Sequence, residues 1–294
     1  MRSARAVTFQ PHEWDFLGVM ILQLQFPNID PVFLRIGPVQ LRWYGLMYML
    51  SFIAGYFLLK RLVKMKKLAL TTDDLYDLLF FLILGVMVGG RLGYVLFYDL
   101  GSYIQRPIEI FYIWQGGMSF HGGFVGMVLA TLFLCWKRKW SFWHVADCVC
   151  AAVPIGLGLV RLGNFINGEL YGRVTTVSWG MIFPAGGDVV RHPSQIYEAL
   201  LEGLVLFLIV QWLFRKNLYP GTVTWALIGF YGVFRFLVEF VREPDAHIGF
   251  DLGPFTRGQL LTLPMLVVGL AMMIIFARRH LPEKSHRLSK SRAQ

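Results

Sequence analysis

Residues 144–166, HVADCVCAAVPIGLGLVRLGNFI, decide the fold. A helix that crosses the roughly 30 Å hydrocarbon core of a bilayer needs about 20 mostly apolar residues, and this run supplies them. Six further runs of the same kind lie outward from it, at about 43–59, 75–98, 120–136, 196–214, 221–241 and 259–277. The pattern predicts an all-α, polytopic membrane protein with about seven transmembrane helices. Composition agrees, since 56% of the 294 residues are hydrophobic and only 16% are charged, with a mean hydropathy of +0.54. The 25 Phe and 9 Trp exclude intrinsic disorder. No repeat of the length that builds a solenoid is visible.

The net charge of +10 would point to nucleic acid in a soluble chain. Here it is spent on topology, and no nucleic-acid partner is expected. Lys60, Arg61, Lys64, Lys66 and Lys67 follow the first run, Lys137 to Lys139 the third, and Arg215 and Lys216 the fifth. With the six basic residues after Ala277, sixteen fall on one side, against Arg106, Arg173, Arg191, Arg242 and Arg257 on the other. Basic residues in short connections stay cytoplasmic, so the N-terminus is expected outside and the C-terminus inside. Arg2, Arg5, Arg35 and Arg42 run against that assignment and are outweighed.

Residues 1–25 read as an amphipathic or frayed lead-in. Arg2 and Arg5 ahead of Phe16–Phe26 imitate a signal peptide, but no A-x-A cleavage pattern follows. Translation from Met20 would remove the first 19 residues. Residues 26–280 form a single membrane-embedded domain and 281–294 a basic cytoplasmic tail. The long external connections 99–119 and 167–195 carry Tyr103, Trp114, Tyr171 and Trp179, residues suited to the membrane interface.

Three arginines, Arg91, Arg161 and Arg235, lie inside predicted spans, where a charge is costly and marks a functional site by default. They sit 16, 17 and 14 residues along runs that all travel outward. At 1.5 Å per residue each is roughly 21–26 Å from the inner face. One such arginine would be read as snorkelling to the headgroups; three at one level predict a shared site in the outer half of the bilayer. Arg161 is followed on its face by Asn164, with Asn167 and Glu169 where the run ends. Tyr231, Arg235 and Glu239 repeat at intervals of four and share a second face that Arg242 continues. A carboxylate that steadies a guanidinium fork improves its grip on phosphate.

Trp43 and Tyr44 open the first run at the same level, and Ser119 and His121 the third. Glycines at 116, 117, 122 and 123 flank His121. Ser119 and His121 are two apart and would not face each other on a helix, so a Ser/His hydrolase is a poor reading. Gly85, Gly89 and Gly93, with Gly122 and Gly126, follow the small-xxx-small spacing of tight helix packing. Cys135, Cys148 and Cys150 show neither a CxxC pair nor metal-ligand spacing, and no nucleotide or HExxH motif appears. No metal and no cofactor are expected. An apolar pocket reachable from the lipid and lined by two or three arginines suits an anionic phospholipid; the residues alone leave enzyme and transporter open.

These segments together carry a resemblance: Trp43-Tyr44-Gly45, Gly116 to Gly123 around His121, Arg161 to Gly172, Arg191-His192-Pro193-Ser-Gln195-Ile-Tyr197-Glu198, and Tyr231…Arg235…Glu239…Arg242. In this order, over roughly residues 26–280, the chain closely resembles the bacterial prolipoprotein diacylglyceryl transferases. One departure is Val160, where the family usually has Gly before its signature arginine. The resemblance implies transfer of the diacylglyceryl group of phosphatidylglycerol to the lipobox cysteine thiol of a prolipoprotein signal peptide. A thioether forms and glycerol-1-phosphate leaves. It further implies a multi-pass protein of the bacterial inner membrane, among membrane lipids, with its site on the outer leaflet. By the same resemblance Arg161 and Arg235 handle phosphate and His121 is the candidate base, while Tyr44, Asn164, Glu169, Tyr231 and Glu239 bind and position substrate. The nucleophile then comes from the substrate, and the chain's own cysteines are dispensable. The rival reading is an outer-leaflet phospholipid or anion transporter, although no half-to-half correspondence of the kind common in transporters is visible. An intramembrane protease lacks a GxSG-like serine and paired membrane aspartates.

Overall fold

The computed structural model describes residues 24–27, 29–37, 39–243, 250–252 and 255–279. Most of the predicted lead-in, the alternative start at Met20 and the basic tail 281–294 lie outside the described residues. Every predicted span is a helix: α1 (Trp43–Met65), α2 (Thr72–Phe97), α4 (Phe120–Arg138), α5 (Phe142–Asn167), α8 (Thr222–Val238) and α9 (Arg257–Ala277), with a short α3 (Leu100–Gln105) after α2. The remaining rod starts as α6 (Ser194–Glu198), widens into a π-helical stretch (Ala199–Val205) and continues as α7 (Leu206–Arg215). Six of these units are long and apolar enough to cross a membrane, and α8, at 17 residues, is a shorter apolar helix. The chain is an all-α, multi-pass membrane protein.

Local chemistry sets the helix ends. Thr71 and Asp74 form a reciprocal cap at the start of α2, each side chain accepting from the other's backbone N–H at 3.2 and 2.9 Å. The first helix outruns its predicted end at residue 59, so Lys60, Arg61 and Lys64 ride on its last turns instead of in a loop. Lysine and arginine are good helix formers, and their charge is favoured at a helix C-terminus.

The helices pair through glycine. Gly85, Gly89 and Gly93 of α2 meet Gly122 and Gly126 of α4, as the small-xxx-small spacing predicts; a Cβ on Gly93 would stand 2.7 Å from the Gly122 Cα. A Cβ on Gly203, in the π-helical stretch, would stand 2.6 Å from the Gly158 Cα on α5. Gly229 and Gly232 of α8 likewise lie against Leu266, Gly269 and Leu270 of α9. Lipid tails are as apolar as leucine, so it is close backbone approach, rather than the expulsion of water, that holds such pairs together.

One end of the bundle, beside the basic connections, holds a closed apolar core. Leu59 and Leu62 of α1, Leu75 and Leu78 of α2, Leu134 of α4, Val145 and Cys148 of α5, Val210 and Phe214 of α7 and Val223 of α8 are all buried there. Two polar devices sit within it. The Asp147 carboxylate, on α5, accepts from the backbone N–H of Gly221 and Thr224 at 2.7 and 2.8 Å and from the Thr224 hydroxyl at 2.7 Å, and so caps α8 from another helix. The Gln211 amide donates to the Ala151 carbonyl at 2.9 Å, three residues before Pro154 within α5.

The other end carries short sheets. Strand β1 (Leu24–Gln25) runs parallel to β4 (Met181–Ile182), which pairs antiparallel with β5 (Val190–Arg191). A hairpin of β2 (Val32–Ile36) and β3 (Val39–Arg42) leads into α1, and one of β6 (Phe250–Leu252) and β7 (Phe255–Thr256) leads into α9. The 99–119 connection folds as α3 and two 3-10 turns whose Ile104, Phe111 and Trp114 are 70–74% exposed.

Candidate functional site

The end opposite the apolar core is built around charge. Arg161 reaches in from α5, Arg235 from α8, and Glu198 and Glu202 from the α6 rod, where both carboxylates are wholly buried. One oxygen of Glu198, Oε2, lies 2.6 Å from Nε of Arg161 and 3.0 Å from Nη1 of Arg235. Two guanidinium groups from different helices therefore turn toward one point. Glu202, a turn deeper, stands 3.8 Å from Arg161 and 3.9 Å from Arg235. Glu239 holds Nη2 of Arg235 at 3.1 Å and lies 3.9 Å from Nη1 of Arg242.

Three arginines and three glutamates thus share one nest whose formal charges balance. Each ion is costly to desolvate, and each is tolerated because its neighbours cancel it; removing any one strands a buried charge. The π-helical stretch begins directly after Glu198 and contains Glu202, and such irregular turns are frequent at functional sites. Arg161 keeps 19% of its side chain accessible against 11% for Arg235, so Arg161 is the more open of the two guanidiniums.

Around the nest the backbone is tied down. Arg173 donates to the carbonyls of Arg242 and Glu239 at 2.9 and 3.2 Å. Asn164 and Asn167 both donate to Oε1 of Glu169, at 2.9 and 3.1 Å, and the Gln195 amide donates to the Glu169 carbonyl at 2.7 Å. Tyr44 packs on Gly163, where a Cβ would stand 3.2 Å from its ring. Its phenol is within electrostatic range of Glu169 and Arg161, and that of Tyr231 within range of Glu202, Arg235, Arg161 and Glu198. Arg242, beyond the end of α8, has its pKa lowered by burial and by the neighbouring Arg235. His192 shares a 3.2 Å hydrogen bond with the Tyr197 hydroxyl, and burial lowers its pKa, which favours the neutral imidazole.

All but two of the residues read from sequence as site candidates, His121 and Arg91, are thereby brought to one end of α1, α5 and α8. Tyr44, Asn164, Glu169, Tyr231, Arg235 and Glu239 gather there with Arg161. His121 lies in the first turn of α4, exposed, its ring edge-on to Phe120. Among the described residues no hydrogen bond or ion pair joins it to the arginines.

The expectation that Arg91 shares the site is overturned. Its guanidinium donates to five backbone carbonyls of the 99–119 connection, those of Glu109, Ile110, Tyr112, Gly116 and Gly117, the Gly116 bond at 2.7 Å. It also lies over the Tyr103 ring, 5.1 Å from its centre. A planar fork with five donors can satisfy a turn that has no ladder of its own, and that structural use consumes it. Glu198 and Glu202 are the reverse case. Weighing only the basic residues of the spans misses them, although two acids four apart inside the apolar run 196–214 are as costly there as an arginine and are the available signal.

A family model described as prolipoprotein diacylglyceryl transferase matches residues 31–275. Curated relatives named phosphatidylglycerol–prolipoprotein diacylglyceryl transferase are similar over nearly the whole chain. That of Geobacter sulfurreducens is 57% identical over 256 residues, 87% of this chain and 98% of its own. Those of Aliivibrio salmonicida and Vibrio vulnificus are each 50% identical, over 88% and 89% of this chain and 91% and 97% of theirs.

Proposed function

The chain belongs to the prolipoprotein diacylglyceryl transferase family, and from that premise we propose that its Arg/Glu nest is where the diacylglyceryl group of phosphatidylglycerol passes to a prolipoprotein. The protein is a transferase of lipoprotein biosynthesis. The acceptor is the lipobox cysteine of the signal peptide, and residues 26–280 form the catalytic domain. Its membrane is the bacterial inner membrane, with the nest in the outer leaflet, on the side away from the basic connections. The observation that carries the site assignment is the meeting of Arg161 and Arg235 at one oxygen of Glu198.

Chemically, the cysteine sulfur attacks the glycerol carbon that bears the phosphate. The C–S bond forms as the C–O bond breaks, its electrons going to the phosphate oxygen, and the thiol proton is taken up by a base or by the departing glycerol phosphate. A free thiol is only a few per cent thiolate at neutral pH, so it needs a base or a positive field. The phosphate gains negative charge as it leaves, and guanidinium donors already fixed in place stabilise it without reorganisation. Arg161 and Arg235 supply that field. Glu198, Glu202 and Glu239 hold the two forks in position, and Tyr44, Asn164, Glu169 and Tyr231 shape the substrate pocket. His121 is the candidate base. A base there gives kcat/KM an acid limb that His121→Gln erases, whereas retained turnover with an unchanged pH profile excludes it.

The test is mass spectrometry of a synthetic lipobox peptide incubated with the purified protein and phosphatidylglycerol, with a Cys→Ser peptide as control. A diacylglyceryl mass increase on the cysteine peptide alone, with matching glycerol phosphate release, is expected. No increase, with lipid exchanged between vesicles that contain the protein, would make the nest the transit site of a phospholipid transporter.

A further inference from the structure

Glu239 does not rest on Arg235 alone. The start of α9 is closed by a reciprocal cap in which the Thr256 hydroxyl accepts from the Gln259 backbone N–H at 3.3 Å and the Gln259 side chain accepts from that of Thr256 at 3.1 Å. The same Thr256 hydroxyl donates to Oε1 of Glu239 at 3.0 Å, while the other oxygen, Oε2, faces Nη2 of Arg235 at 3.1 Å. Thr256 is 2% exposed and Glu239 4%, so water does not replace this bond. Between them sits Gly258. A Cβ there would stand 2.5 Å from Oε1 of Glu239, so the helix N-terminus approaches the carboxylate as closely as it does because no side chain intervenes.

The chemistry of this contact goes beyond cap stability. The first turn of a helix carries partial positive charge and favours an anion. A hydroxyl that already accepts from the cap N–H has its proton left for Glu239. The carboxylate is thereby gripped on one oxygen by α9 and presents the other to Arg235. The packing of α9 on α8 through Gly229, Gly232 and Gly269 fixes the height of this grip along Arg235.

We infer that Thr256 and Gly258 are positioning residues for the transfer: α9 clamps Glu239, and Glu239 sets the plane in which Arg235 meets the phosphate. The inference rests on the reading of Arg235 as a phosphate-binding residue. Loss of the clamp leaves both arginines charged and present, so substrate still binds, but the fork is no longer held in the orientation the transition state requires.

The experiment compares full-length wild type, Thr256→Val, Thr256→Ser and Gly258→Ala by steady-state peptide lipidation, with a thermal unfolding curve for each. Thr256→Val, of the same shape without the hydroxyl, is expected to lower kcat about tenfold with KM for phosphatidylglycerol within about twofold, the size of effect of one hydrogen bond to a charged group. Thr256→Ser restores kcat to within about threefold, since it keeps both bonds. Gly258→Ala displaces the Glu239 carboxylate without touching Thr256 and lowers kcat in the same way. Wild-type kcat in both Thr256→Val and Gly258→Ala overturns the inference, as does a Ser variant no better than Val while as thermally stable as wild type. A loss borne by KM alone overturns it too. If Arg235→Ala keeps full activity, the phosphate reading itself has failed; if Arg235→Ala is inactive and the α9 variants are unaffected, only the clamp has.

Discussion

Where α1, α2, α4, α5 and α7 meet beside the basic connections, the interior is mainly leucine and valine with Cys135, Cys148 and Phe214, and Asp147 is set among them as a helix cap. Where α5, the α6 rod and α8 meet at the opposite end, six charged side chains fill the interior and cancel one another. The two ends share helices but hold together differently. The apolar end gains from many small contacts, and losing one lowers stability by degrees. The charged end gains little net stability from its ion pairs, because desolvation offsets attraction; what it holds is a geometry. Variants should therefore separate: at the apolar end stability falls with turnover intact, whereas at the charged end turnover falls together with the stability lost to a stranded partner.

The largest break in that comparison is Arg161→Ala or Arg235→Ala. Each should lower transfer by about a thousandfold, the cost of removing a fixed charge donor from a developing anion. The protein should remain inserted, as the unchanged apolar end requires; full activity in either variant ends the phosphate assignment. Next comes Glu198→Gln, which keeps shape but leaves two guanidiniums without their common partner. A fall in kcat of about a hundredfold is expected from a residue that acts with others as a unit. Its KM for phosphatidylglycerol should not rise, since the nest becomes more positive, and a rise would show Glu198 to be a direct ligand of the lipid. At the other end Leu62→Ala should cost about 2–5 kcal/mol of stability with kcat unchanged below the melting range. The smallest effect belongs to Cys135, Cys148 and Cys150: replacement of all three by Ala should keep turnover within about twofold, and loss in a folded protein would contradict a nucleophile borne by the substrate.

Much of the fold was legible because hydrocarbon imposes one demand on every span, and the glycine spacing of α2 and α4 stated which faces touch. Arg235 was legible as well, since Glu239 lies a helical turn away on the same face. Arg91 and Arg161 show where such reading stops. Both stand at one depth in apolar runs, and depth alone made them equal. They differ in the chain beyond each span: Arg161 leads into Asn164, Asn167 and Glu169, whereas Arg91 leads into a connection whose bare carbonyls, at Gly116 and Gly117 among others, need a donor. Which helix faces which is a tertiary fact, so the meeting of Glu198 with two arginines from other helices was beyond any local pattern. The hydroxyl of Thr256 reaches Glu239 from 17 residues away for the same reason.

The cap that Asp147 places on α8 also bears on how the chain is made. A 17-residue helix is about 25 Å long, short of a bilayer core. Its first residues are buried within the bundle, and the carboxylate that accepts from the N–H groups of Gly221 and Thr224 belongs to α5. Since α5 precedes α8 in the chain, synthesis delivers the acceptor before the donors. The seating of the later helix thus draws on a group of the earlier one, a dependence carried by a single aspartate.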